Sequence, residues 1–423
     1  MSNLRIEAHG TSMAVAALAL LDGQPLQDEA GELQVEQIRR HVEERLGHAE
    51  RLHQILVSPE SGHGAPAWKY DAGFDIAHHV MRRTLPPPGD EQTLLRVCCD
   101  LTAPSLDRSR PLWDLWLLDG LADGQVALLL RLHHVVADGE AALELFSAMF
   151  DAEPTSPGPA PVGYLGAHPG WLALIRGTVA RGSNRLHQVW TLARLGRAPA
   201  LSWNRPVGSR RVHLLVRGDL AAAKAVAHQH GGKVNDVVLA AIGGGAYRLL
   251  ESRGELAPDL DMRVSVAASI RRPGESGGNR VGVRLVAVPV GDPDAAGRLA
   301  TVSTRTAEQR HWPPLQPSGR FLQRLMVRIM RNQRIINLVL SNMPGPPAPL
   351  WFDGALVREM FQLSLLQGNC AIGVGVLSYA GQLNLDIVAD PDIVPDIGVF
   401  ADEVTTALAQ LGAVRDDGDL RLP

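Results

Sequence analysis

One stretch constrains this chain more than any other: QVALLLRLHHVVADGEAALELF, Gln125 to Phe146. Its aliphatic start has the composition of a buried strand, whereas Ala141, Ala142, Leu145, Phe146 and Met149 recur at the spacing of one helical face. A strand therefore runs into a helix, and Gly139 lets the backbone turn sharply between them. At that junction stand His133, His134 and Asp138. Neighbouring residues of an extended segment point to opposite sides, so the two histidines face different surroundings: one is available for chemistry and the other is structural. Taken alone, the pair also fits two ordinary core histidines. A metal site would join His134 to Asp138 four residues on, but Val135 and Val136 continue the strand, Gly139 breaks the register and no third ligand stands nearby. No metal is expected.

The 423 residues exceed one ordinary core and suit two domains of about 200 residues each. A Pro/Gly-rich stretch, Asp151 to Gly170, resists packing and ends the first domain. The basic run after it reads as helical crossover. The expected division is residues 1–150, a linker and crossover at 151–205, and a second domain at 206–423. Strand patterns such as RVSVAASI, NRVGVRLVAVPV, CAIGVGVLSYAG and QLNLDIVAD alternate with helical ones, as in the first half. That alternation predicts two α/β sandwiches.

Composition narrows the function classes. Three cysteines, with Cys98 and Cys99 adjacent and no CxxC, support neither a disulfide framework nor a cysteine zinc site and fit a reducing cytoplasm. No secretion leader is read at the start. The uncharged run from Met360 to Leu385 carries Gln362, Gln367, Asn369 and several glycines, which suits buried strands and not a lipid-exposed span. The net charge of -4 conceals two acid-free segments: residues 154–218 hold nine arginines, and residues 309–352 hold six. Arg320, Arg324, Arg328 and Arg331 share a helical face, which fits a surface helix or one resting on anionic lipid. Nucleic acid is not an expected partner.

Several other stretches carry patterns that their surroundings do not support as sites. GESGG at Gly274 to Gly278 matches the serine-hydrolase pattern, yet a strand follows Ser276 where that elbow requires a helix. His78 and His79 lack a following Asp-Gly and read as surface or interdomain residues. Gly243, Gly244 and Gly245 lack phosphate-loop spacing and read as close helix packing. Asn235 and Asp236 fit a helix cap as well as a site.

The motif HHVVADG matches the HHxxxDG signature of the acyltransferase superfamily that includes chloramphenicol acetyltransferase and peptide-synthetase condensation domains. With RPLWDLWLLDGL (Arg110 to Leu121), KVNDVVLAAIGGGAYR (Lys233 to Arg248), SIRRPGESGGNRV (Ser269 to Val281), SNMPGP (Ser341 to Pro346) and VLSYAGQLNL (Val376 to Leu385) in order, the chain resembles the wax ester synthase/diacylglycerol acyltransferase family over nearly its whole length. The resemblance implies two chloramphenicol-acetyltransferase-like α/β domains forming a pseudo-dimer around a central channel. Acyl-CoA would be co-substrate, with no bound cofactor, and the acceptor a diacylglycerol or long-chain alcohol. It also implies His134 as general base, a role suited to an imidazole of pKa about 6.5, with His133, Asp138 and Gly139 in support. Asp138 would pair with an arginine, for which Arg271 is the candidate and Arg272 the second. Asn235, beside Asp236, would orient the reacting groups. Pro111, Leu112 and Trp113 would wall the acyl channel, Trp113 serving equally as plain core; Ser341 and Asn342 would line a second entrance unless SNMPGP is only a tight turn. A specialised-metabolism enzyme acylating a natural-product alcohol or amine, from acyl-CoA or a carrier protein, is the second expectation. A non-catalytic lipid-binding protein is the third. The expected location is cytoplasmic, peripheral on anionic membrane or lipid droplets; oligomeric state is left open.

Overall fold

The computed structural model describes residues 14–46, 49–57, 67–136, 146–154, 196–269, 281–309, 314 and 332–415. Along the chain these form β1 (Ala14–Asp22), α1 (Val35–Leu46), β2 (Gln54–Val57), β3 (Ala67–Tyr70), β4 (Val80–Thr84), α2 (Glu91–Thr102), β5 (Trp113–Asp119) and β6 (Gln125–His133). Then follow β7 (Val212–Asp219), α3 (Leu220–Gln229), α4 (Val234–Ser252), β8 (Asp261–Ser269), β9 (Val281–Pro289), α5 (Ala295–Gln309), β10 (Leu338–Pro344), β11 (Trp351–Phe352), β12 (Ala355–Leu363), β13 (Ile372–Tyr379), β14 (Gln382–Ala389) and α6 (Ile397–Gln410). The strands expected from apolar runs are present; the uncharged stretch holds the end of β12, all of β13 and the start of β14.

Two six-stranded sheets carry the fold, ordered β11-β12-β1-β6-β5-β4 and β7-β14-β13-β10-β8-β9. Central strands are aliphatic because both faces are covered. In β6, Leu128, Leu130 and Leu132 join a core with α1, while Ala127 and Leu129 join a second core with Leu94, Leu95, Cys98 and Leu101 of α2. The second sheet packs its helices α4, α5 and α6 against Val264, Leu338, Leu340, Val374 and Leu385.

The halves are interlaced. Strands β11 and β12 complete the first sheet, with β12 antiparallel to β1 from Ala16↔Leu363 onward, so residues 206–423 contribute to both sheets. Residue 151, where the first domain was expected to close, bridges Trp351. The edge of β12 away from β1 meets the second sheet: Tyr379 Oη donates to Val357 O at 2.8 Å and Asn384 Nδ2 to Met360 O at 2.9 Å. At one edge of this junction Arg217 Nε lies 3.0 Å from both oxygens of Glu359, and its Nη2 reaches Glu91 at 2.5 Å, in the first turn of α2. Arg415 also pairs with Glu359. Burial pushes the Glu359 carboxyl upward, but hydrogen bonds and charge from Arg217 and Arg415 outweigh it and hold the group below its ordinary value.

The three consecutive glycines do serve helix packing. A Cβ on Gly245 would lie 2.8 Å from Phe400 O and 2.8 Å from Val404 Cγ2, both on α6; on Gly244 it would lie 2.6 Å from Nη2 of Arg298, which is fully buried. Alanine at Gly245 gains about 1 kcal/mol of helix propensity, yet a backbone oxygen cannot move aside without separating the helices, at a cost of about 2–3 kcal/mol. Gly245→Ala is therefore expected to lower unfolding stability by about 1–2 kcal/mol in urea titration; an unchanged midpoint would mean that α4 and α6 separate freely.

Candidate active site

Strand β6 ends on His133, and the chain turns at His134 to Val136. The end of the strand is held from three sides. Arg131 Nε donates to Asp114 Oδ1 at 2.8 Å and its Nη2 to the other oxygen, while Nη1 donates to Pro104 O at 3.0 Å and to Leu101 O at the end of α2. Both partners are almost wholly buried, which makes removal of either costly. The backbone N–H of His133 donates to Leu112 O at 3.0 Å. Its ring is buried at 1% exposure, and Nδ1 accepts the Val135 N–H at 3.0 Å. His133 thus stabilises the turn that presents His134, which is partly exposed. Asp138, Gly139, Arg271, Arg272, Ser276 and the Arg320 to Arg331 face lie outside the described residues.

Pro111, Leu112 and Trp113 belong to the packing around this strand. Leu112 and Trp113 are each 2% exposed, and the indole N–H donates to Leu52 O at 2.8 Å. His79 is neither a surface nor an interdomain residue: its ring stacks on Trp113 with centroids 4.6 Å apart and on Phe74 at 5.1 Å. Burial lowers its pKa, against a hydrogen bond with Trp113 O that raises it. His78 stays half exposed.

The second constellation forms where α4 meets β10. Asp236, 2% exposed, accepts the Lys233 N–H at 2.8 Å and caps α4. Asn235 is left for other work: its Oδ1 accepts from Asn342 Nδ2 at 2.6 Å, so the two motif asparagines, 107 residues apart, meet. That bond occupies the Asn235 oxygen, and its amide nitrogen is the group able to donate. Ser341, one residue earlier on β10, leaves the opposite face of the strand and accepts from Gln362 Nε2 at 2.9 Å. The turn after β10 needs Gly345, whose Cβ would lie 2.2 Å from Ser378 O.

Two contributors went unseen in the sequence. The Arg131–Asp114 pair shows only as a buried-strand charge in each of two motifs, and Gln362 only as a polar residue in an uncharged run. Among the described residues no group of three His, Cys, Asp or Glu could hold a metal, and no helix is long and apolar enough to cross a membrane.

Known structures share this architecture. The wax ester synthase/diacylglycerol acyltransferase of Marinobacter aquaeolei VT8 superposes with a TM-score of 0.72 over 96% of each chain at 23% identity. The first condensation domain of the calcium-dependent antibiotic synthetase gives 0.66 over 96% of this chain and 92% of that one, at 17% identity. These likenesses show the fold: two interlaced sheets, one with a central strand that ends on a double histidine. Residues 1–238 match the wax ester synthase/diacylglycerol acyltransferase catalytic domain and residues 277–412 the C-terminal domain of that family. Proteins of Mycobacterium tuberculosis bearing the diacylglycerol O-acyltransferase name are 31% identical over 89% of this chain and 82% of the relative, and, for tgs1, 30% over 95% and 92%. The chain belongs to the wax ester synthase/diacylglycerol acyltransferase family.

Proposed function

We propose that this acyltransferase moves a fatty acyl group from acyl-CoA to the hydroxyl of a diacylglycerol or long-chain alcohol, giving triacylglycerol or a wax ester. His134 takes the hydroxyl proton as the oxygen attacks the thioester carbonyl; the tetrahedral intermediate then collapses and expels the thiolate, which receives that proton. The Asn235 amide nitrogen, its oxygen occupied by Asn342, donates to the oxyanion. Asp138 and Gly139 shape the loop after His134, with Arg271 as the partner of Asp138. No covalent acyl-enzyme is required, and no bound cofactor takes part.

The observation that carries this reading is a partly exposed His134 at the rigid end of β6, one residue after a fully buried His133 that accepts a hydrogen bond from the turn. The test is release of free thiol from a long-chain acyl-CoA by the purified protein, with products identified by mass spectrometry. Diacylglycerol, a long-chain alcohol and a natural-product amine are offered in turn. Ester formation on the first or second supports the assignment; transfer to the amine alone would place the chain with specialised-metabolism enzymes, and no thiol release with any acceptor would leave a lipid-binding protein.

The arginine-rich segments support a reversible attachment to anionic membrane or lipid droplets. Flotation with phosphatidylglycerol vesicles should recover the protein at low salt and lose it at high salt. Absence from the vesicle fraction at low salt would refute the attachment.

A further inference from the structure

Resting on the acyl-CoA reading above, we propose that Gln362 is a substrate-binding residue that accepts a hydrogen bond from an amide N–H of the acyl donor's arm. Gln362, Ala17 and Leu130 are directly opposite one another across β12, β1 and β6. The glutamine therefore leaves the sheet on the face of Leu130, in the core shared with Met360, Leu377 and Tyr379 and opposite the face of Arg131. Facing it in the second sheet is the cross-strand row Ser341–Gly375–Asp386. The backbone of β12 passes so close to this row that a Cβ on Gly375 would lie 2.7 Å from Gln362 O and 2.2 Å from Ser364 Oγ.

Within this junction Gln362 spends its nitrogen on Ser341 Oγ at 2.9 Å, while its Oε1 is covered and has no partner; Ser364 Oγ, two residues on and on the same face, is likewise unmatched. A covered acceptor left unmatched destabilises the free protein. The group makes sense as a contact completed on binding, since both Gln362 and Ser364 remain partly exposed. Gln362 is also two strands across and three residues along from His133, an offset of about 10 Å in each direction at ordinary sheet spacing. That separation suits a donor group remote from the reacting carbonyl, such as a secondary amide of the acyl donor's arm.

The test is Gln362→Met in the full chain, with KM measured separately for palmitoyl-CoA and for hexadecanol by thiol release, alongside thermal unfolding. The substitution removes both the unmatched Oε1 and the Nε2 bond to the partly exposed Ser341; because relieving a covered, unmatched acceptor gains at least what one ordinary hydrogen bond loses, the melting temperature should be unchanged or raised. The KM for palmitoyl-CoA should rise about tenfold, with that for hexadecanol unchanged; a rise for hexadecanol alone, whose one hydroxyl is the reacting group, would overturn the assignment. A lowered melting temperature would assign the amide to the fold, and a stable variant with both KM values within about twofold of the parent would remove Gln362 from the site; either result overturns the proposal.

Discussion

His134→Ala is expected to give a folded protein whose acyl transfer is lower by about two to four orders of magnitude, the usual contribution of a positioned general base. An alcohol attacks a thioester slowly until its proton is being removed, and the proposed chemistry assigns that removal to one imidazole. Stability should change little because the turn is held by residues on either side: Arg131 fixes β6 to β5 and the end of α2, and His133 accepts the Val135 N–H. The measurement is thiol release by purified variant and parent at matched folded concentration, checked by circular dichroism. Turnover within about tenfold of the parent would remove His134 as the base.

Glu359→Gln should have the largest effect on stability, a loss of about 3–5 kcal/mol, because it leaves Arg217 and Arg415 partly buried without their carboxylate. The pH dependence has a definite sign. The Glu359 carboxyl is held below its ordinary value of 4.5 by the two guanidinium groups, so its contribution is complete above that value and is lost as pH falls through the depressed one. The parent should therefore destabilise on acidification through that window, whereas the variant, already lacking the charge, should lose less. Thermal unfolding between about pH 3 and pH 7 covers that window; parallel curves for parent and variant would show that Arg217 and Arg415 hold the junction without Glu359.

Much of this protein was legible residue by residue. The strand at Gln125–His133 follows from an aliphatic run, the start of α4 from the cap-forming Asn235 and Asp236, and the packing role of Gly243 to Gly245 from their lack of phosphate-loop spacing. Local periodicity reports which way a side chain leaves its own element. It does not report which element comes to meet it. Thus Trp113 read equally as channel wall or core until its indole was seen donating to Leu52 O, and Asn235 and Asp236 read together as a site or a cap until Asp236 took the cap and Asn342 met Asn235. His79 was misplaced for the same reason, since nothing within FDIAHHV announces the Trp113 and Phe74 rings that enclose it.

By itself the sequence determined the α/β class, the strand that carries the double histidine and the family to which the chain belongs, because each is written in short-range pattern and ordered motifs. Only the tertiary structure decided that β12 leaves the second half to complete the first sheet, that two asparagines 107 residues apart share a hydrogen bond, and that Gln362 lies over Ser341 with one oxygen unmatched. Those pairings are chosen by the total burial and hydrogen bonding of the whole chain, a quantity to which each strand contributes equally well in several places until all of the others are in position.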